Sequence, residues 1–182
     1  MILPHDSVAA RAAVENFCRV NELQVPLMDF RPKLKPNHYG VYKFGQLIVD
    51  ALRCKAPSTS LYSWTWPGYT ADLTVLGVTA HELGHHVNHL LGWGDVRRRW
   101  HSLIMGAMDE PPVGSYAASQ TIEDFAESMK VFVTNPTLLE CIAPKRYAFI
   151  VKDLRLKPVE SRHWRVILED SPRHIKAVEN KL

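Results

Sequence analysis

Between Leu73 and Leu91 the apolar residues Leu73, Leu76, Val78, Ala80, Leu83, Val87, Leu90 and Leu91 recur at three- and four-residue steps. That is the period of a helix packed into a core, and it predicts one within the stretch from Thr70 to Gly92. A second stripe, Ile122, Phe125, Ala126, Met129, Phe132 and Val133, predicts another within SYAASQTIEDFAESMKVFVTNP. Near the N-terminus, Val8, Ala12, Val14, Phe17, Cys18 and Leu23 mark the apolar side of a packing helix capped by Asp6 or Ser7. Pro26, Pro32 and Pro36 break the segment after it. Two short β runs follow, around Tyr39 to Phe44 and Gln46 to Asp50, split at Gly45. LYSWTWP, Leu61 to Pro67, alternates aromatic and polar residues as a further strand would, with Trp64 and Trp66 as packing residues.

Gly92 and Gly94 close the central helix, DVRRRWHSLIMGAM predicts a more exposed one, and DEPPVGS reads as a loop. Asn135 before Pro136 and Ala143 before Pro144 start two short helices, the second carrying Tyr147, Phe149, Ile150 and Leu154. HWRVILED and SPRHIKAVENKL suggest two more elements. A chain of 182 residues that is 46% hydrophobic suits one core and is short for two. With no internal repeat or long linker, residues 1–182 read as a single domain.

Charge adds little. The net charge is +3, and the basic clusters RPKLKP and Arg97 to Arg99 are short, so a solvated face is expected rather than nucleic acid. Cys18, Cys54 and Cys141 are odd in number, widely spaced and free of any C-x-x-C pair, which points to buried thiols and a reducing compartment. No run of about 18 apolar residues and no basic-then-apolar leader is visible, so no membrane span and a cytoplasmic protein as synthesised are expected.

The central helix also carries chemistry: His81, Glu82 and His85 in the order H-E-x-x-H. Four residues advance a helix by about 400°, which puts two such imidazoles ~40° apart in azimuth and ~6 Å apart along the axis. They can share one metal ion. Glu82, rotated by ~100°, is poorly placed as a further ligand but well placed to reach a water on the open side of that ion. This is a general base's position. Glu123 and Glu127 fall together on one face of the second helix, where two part-buried carboxylates call for a cation. Catalytic zinc takes three protein ligands, His₂Glu among the standard sets, so Glu123 is the expected third ligand to Zn²⁺. Glu127, one turn on, is placed to accept an N–H from a ligand imidazole. His86 and His89 are expected to be surface residues or supports behind the ligands, and His163 and His174 structural.

HELGH followed by E-x-x-x-E on a second helix resembles the gluzincin metallopeptidases, and YAASQTIEDFAE is similar to the zinc domains of the anthrax lethal factor and Pro-Pro endopeptidase family. NPTLLECIAPKRYAFI resembles the segment after the third ligand in many small phage and bacterial zincin-like proteins. In the lethal factor family a tyrosine lies seven residues before the glutamate ligand, and Tyr116 stands seven before Glu123. The resemblance covers roughly Thr70 to Ile150. It implies His81 and His85 as ligands, Glu82 as the base and Tyr116 as a hydrogen-bond donor to the substrate oxyanion. The fold it implies is an α+β zincin-like domain, a small mixed sheet beside an active-site helix with a helical C-terminal part. The expected activity is zinc-dependent hydrolysis of a protein or peptide substrate. The alternative is a zinc-containing structural or binding module on the same fold, such as a virion-associated component of a larger phage assembly.

Overall fold

The computed structural model describes residues 4–30, 34–36, 38–54, 73–106, 110–114 and 116–159. The expected strand at Leu61 to Pro67 with Trp64 and Trp66, and the expected elements in HWRVILED and SPRHIKAVENKL with His163 and His174, lie outside them. In chain order come α1 (Pro4–Val20), β1 (Leu27–Phe30), β2 (Gly40–Lys43), β3 (Gln46–Val49), α2 (Val75–Leu90) and α3 (Trp93–Gly106). A single 3₁₀ turn at Ala117–Ser119 leads into α4 (Thr121–Thr134), followed by α5 (Pro136–Ile142) and α6 (Pro144–Ala148), which runs on into a π turn at Phe149–Asp153. The class is α+β: helices dominate, and one small mixed sheet covers part of the central helix. No helix among the described residues is long and apolar enough to cross a membrane.

Local sequence explains most boundaries. Thr74 is the N-cap of α2, its Oγ1 accepting the Gly77 N–H at 3.0 Å. Asn135 does the same for α5, accepting the Leu138 N–H at 3.0 Å, with Pro136 in the first turn where its missing N–H costs nothing. The β2–β3 hairpin turns through Phe44 and Gly45 at φ 46° and 83°, the paired positive angles of a type I′ turn. Strand order is β1-β3-β2, with β1 parallel and β2 antiparallel to β3.

Five expectations are corrected. Helix α1 already includes Pro4, so Asp6 and Ser7 sit inside its first turn rather than capping it. Its buried side is Ala10, Val14, Phe17 and Cys18, a cleaner i, i+4, i+7, i+8 stripe than one through Val8, which is 66% exposed, and Ala12. Strand β1 arises inside the segment that Pro26 and Pro32 were expected to break, because an edge strand tolerates prolines just beyond its ends. Gly94 lies within α3 and does not close α2. Among the cysteines, Cys18 and Cys54 are buried but Cys141 is only half-buried, and all three are free thiols.

The core is built on α4, whose residues from Asp124 to Thr134 are all buried. Phe125, Met129 and Phe132 meet Phe17 of α1, Leu83 and Val87 of α2, Trp100 of α3 and Leu139 of α5 in one apolar cluster. Phe17 meets Phe132 edge to face at 6.2 Å, and Trp100 meets Phe125 likewise at 5.0 Å. Helix α2 is pressed against α4 with no side chain between them at Gly84. A Cβ there would stand 2.8 Å from the Ala126 Cα, 3.0 Å from the Ala126 oxygen and 3.0 Å from the Met129 Cβ. Two of those neighbours are backbone atoms that cannot yield without moving the helix. Gly84→Ala should therefore cost about 1–3 kcal/mol as an overpacking substitution, even though alanine is the better helix former by ~1 kcal/mol. Denaturant unfolding checks this: a lowered midpoint at unchanged slope is expected, and a raised midpoint would show that propensity wins.

Candidate metal centre

The approach at Gly84 brings together three of the residues singled out in the sequence. His81 Nε2 lies 3.2 Å from His85 Nε2 and 3.2 Å from Glu123 Oε2, and His85 Nε2 lies 3.5 Å from the same oxygen. A tetrahedral ion with bonds of ~2.0–2.1 Å has ligand-to-ligand edges of about 3.3–3.5 Å. The triangle fits that size.

Its protonation makes the fit chemical as well as metrical. His81 Nδ1 is 2.7 Å from Glu127 Oε1, and a carboxylate only accepts, so that nitrogen carries the proton. In a neutral imidazole Nε2 then presents a lone pair to Glu123 Oε2, a buried oxygen that would have no donor opposite it. Lone pairs facing one another at this distance call for a cation between them, either a proton or a metal. In the metal-free protein it is a proton: burial opposes charge on His81, but Glu123 and Glu127 outweigh it and raise its pKa to about 9. The same contacts hold the Glu123 carboxyl well below the usual carboxylate range against the opposing effect of its burial.

Behind His81 stands a residue the sequence reading missed. Lys130 Nζ donates to both oxygens of Glu127, at 2.7 and 2.6 Å, and both side chains are buried. Burial disfavours the Glu127 charge, but Lys130 and His81 hold its carboxyl down to about 2. The E-x-x-K spacing was visible, yet a lysine is by default a solvated residue, and only the burial of α4 on all sides reveals it as a counter-ion.

Glu82 faces the same space from the side of the sheet. It accepts the backbone N–H of Tyr42, on the free edge of β2, and the strand can come that close only because residue 40 is glycine. A Cβ on Gly40 would stand 2.6 Å from Glu82 Oε1. Burial pushes the Glu82 carboxyl above the usual range, with the His81 and His85 charges opposing. A raised carboxyl is the direction a proton acceptor working near neutral pH needs. Tyr116, 48% exposed, tilts its ring over His81 at 5.6 Å between centroids and hydrogen-bonds to Glu123. Its hydroxyl is pushed up to about 12 by burial and by the neighbouring Glu123 charge, so it stays a donor. A pocket of about 290 Å³ opens in front of these groups, walled by His38, Tyr39, Gly40, Leu73, Val78 and Tyr116.

Comparison with known proteins gives no matching family model, no matching curated protein and no matching solved structure. The centre has to be read from its own atoms. His86 and His89 stand apart from it. His86 is 1% exposed rather than a surface residue; its Nε2 donates to the Gln24 carbonyl at 2.8 Å. His89 Nδ1 accepts the Tyr42 hydroxyl at 2.7 Å. Both tie α2 to the sheet.

Two outcomes follow from the arrangement. Glu123→Ala should drop bound zinc well below one equivalent, while His89→Ala should leave it near one, as measured by metal analysis after dialysis. Equal loss from both variants would mean that the triangle is not the binding site. Secondly, zinc binding at pH 7.5 must displace the His81 proton, so calorimetry in buffers of different ionisation enthalpy should show release of at least about one proton. That contribution should fade as the pH is raised through about 9, where His81 loses the proton unaided. No release at pH 7.5 would remove His81 from the ligand set.

Proposed function

We propose that the protein is a zinc-dependent endopeptidase of the gluzincin type. The observation that supports this most is the triangle of His81 Nε2, His85 Nε2 and Glu123 Oε2 at tetrahedral spacing, with Glu82 and Tyr116 on the pocket side of it. His81, His85 and Glu123 would hold the ion, which leaves one position open. A zinc ion held there supplies Lewis acidity and a water-derived nucleophile usable near neutral pH.

The chain's own groups account for the remaining steps. Glu82 takes the proton from the attacking water and passes it to the leaving amine, and the Tyr42 N–H orients its carboxylate. Tyr116 donates its hydroxyl proton in a hydrogen bond to the oxygen where charge develops, an interaction stronger in the transition state than in the ground state. Glu127 holds the His81 ring by its Nδ1 proton, which keeps Nε2 free as a ligand. Lys130 keeps Glu127 ionised for that purpose. A peptide chain lying in the pocket beside the β2 edge would meet all of these at one carbonyl.

The deciding experiment is cleavage of a peptide library by the purified, zinc-loaded protein, with Glu82→Gln alongside. The glutamine preserves size but cannot accept a proton, so zinc content should stay near one equivalent while hydrolysis falls by roughly 10²–10⁴-fold. Near-normal turnover in Glu82→Gln, or full zinc content in the wild type with no peptide cut, would refute the reading.

A further inference from the structure

Tyr116 hangs from a loop anchored to α4 by a buried arginine. Arg146, on α6 and 2% exposed, donates through Nε and Nη2 to the two oxygens of Asp124, at 2.9 and 2.8 Å. Its Nη1 donates to Glu110 Oε1 at 3.0 Å and to the Glu110 and Pro111 carbonyls at 3.1 and 3.3 Å. Glu110 also accepts the backbone N–H groups of Lys145 at 2.7 Å and Arg146 at 3.1 Å. Trp100 Nε1 donates to Asp124 at 2.9 Å.

A buried cation shared between two buried carboxylates is an expensive way to fill space, since well-packed apolar residues of the same volume are often at least as stable. What a guanidinium offers instead is geometry: a planar fork of donors that fixes the relative position of every acceptor it touches. The acceptors here belong to two pieces of the metal centre. Asp124 is the residue after the ligand Glu123. Glu110 and Pro111 begin the loop that ends at Tyr116. Between them Val113 is buried in the core, and Gly114 passes beside the centre, where a Cβ on it would make ordinary contact with Glu127 Oε2 at 3.8 Å.

We infer that Arg146 is a positioning residue, a clamp that sets the Tyr116 hydroxyl over the metal centre by locking the start of its loop to the helix that carries Glu123. The catalytic part of this inference rests on the peptidase reading; the mechanical part does not. Arg146 does not touch substrate, and its effect passes through Tyr116.

Removing Arg146 would strand two buried carboxylates and endanger folding, so the test loosens the clamp at its other end. In Glu110→Gln the amide must turn its NH₂ toward one of three converging donors, while the Arg146–Asp124 pair is left intact. Zinc content should remain near one equivalent and kcat should fall roughly ten- to hundredfold, with KM changed little. The decisive comparison is a double-mutant cycle: once Tyr116→Phe has removed the hydroxyl, adding Glu110→Gln should cost no further kcat. Equal losses in both backgrounds, or an unchanged kcat beside a lowered melting temperature, would overturn the proposal and leave Arg146 a structural residue. Hydrogen exchange over residues 113–118 reads the clamp without turnover. Glu110→Gln should speed it at least about tenfold while α2 stays protected. Should the wild type cut no peptide, the peptidase reading fails by itself and the exchange result alone decides the clamp, unchanged exchange refuting it.

Discussion

Everything in the candidate centre depends on how closely α2 and α4 approach. Two of the candidate ligand groups come from one helix and the third from the other, and the helices touch backbone to backbone at Gly84 and Ala126. Typical helix pairs stand 8–10 Å apart according to the side chains at the crossing, and this one has almost nothing at the crossing. The glycine within HELGH is therefore part of the binding geometry, although it bears no donor atom. Because the three candidate ligands are carried by the main packing contact of the fold, the candidate centre is preorganised. The side chains are held by helices rather than loops.

Around that contact the structure deals with buried charge one group at a time. Glu127 is matched by Lys130, Glu82 by a backbone N–H and by the histidines, Asp124 and Glu110 by Arg146. Glu123 Oε2 is the exception among these carboxylates: it faces the Nε2 atoms of two imidazoles, and only a proton or a metal ion between them satisfies it. Asn88 Oδ1, Ser128 Oγ and Asn135 Nδ2 are also buried without a partner, but of these four atoms only the Glu123 oxygen belongs to an ionisable group, and a carboxylate oxygen facing two imidazole nitrogens is where a cation is expected.

The legibility of the chain divides along physical lines. Helices α2 and α4, with Glu123 and Glu127 on one face, were visible because helical period is a local property of sequence. The caps at Asn135 and the turn before Pro144 were visible for the same reason. Strand β1 was hidden because edge strands tolerate the prolines that otherwise signal a break. Lys130 and Arg146 were hidden because a charged residue reads as solvated until its surroundings are known. The contact between Gly40 and Glu82 had no signal at all, since it joins a strand and a helix 42 residues apart through an atom that is not there. The spacing of His81, His85 and Glu123 made them legible as candidate donors, but not what holds them.

The pairing of Lys130 with Glu127 bears on what the pocket can distinguish. Because that carboxylate is already cancelled, the formal charges left at the centre are those of Glu123, Glu82 and whatever cation sits among the imidazoles. With a divalent ion they sum to zero. An uncancelled Glu127 would leave the centre with an excess negative charge deep in a low-dielectric wall, repelling acidic peptides over a distance comparable with the screening length of physiological salt, ~8 Å. With the lysine in place, a centre loaded with a divalent ion would, on the proposed peptidase reading, present no net formal charge to an approaching peptide. Any discrimination by charge would then fall to the rim of the pocket, where, among the described residues, His38 stands exposed.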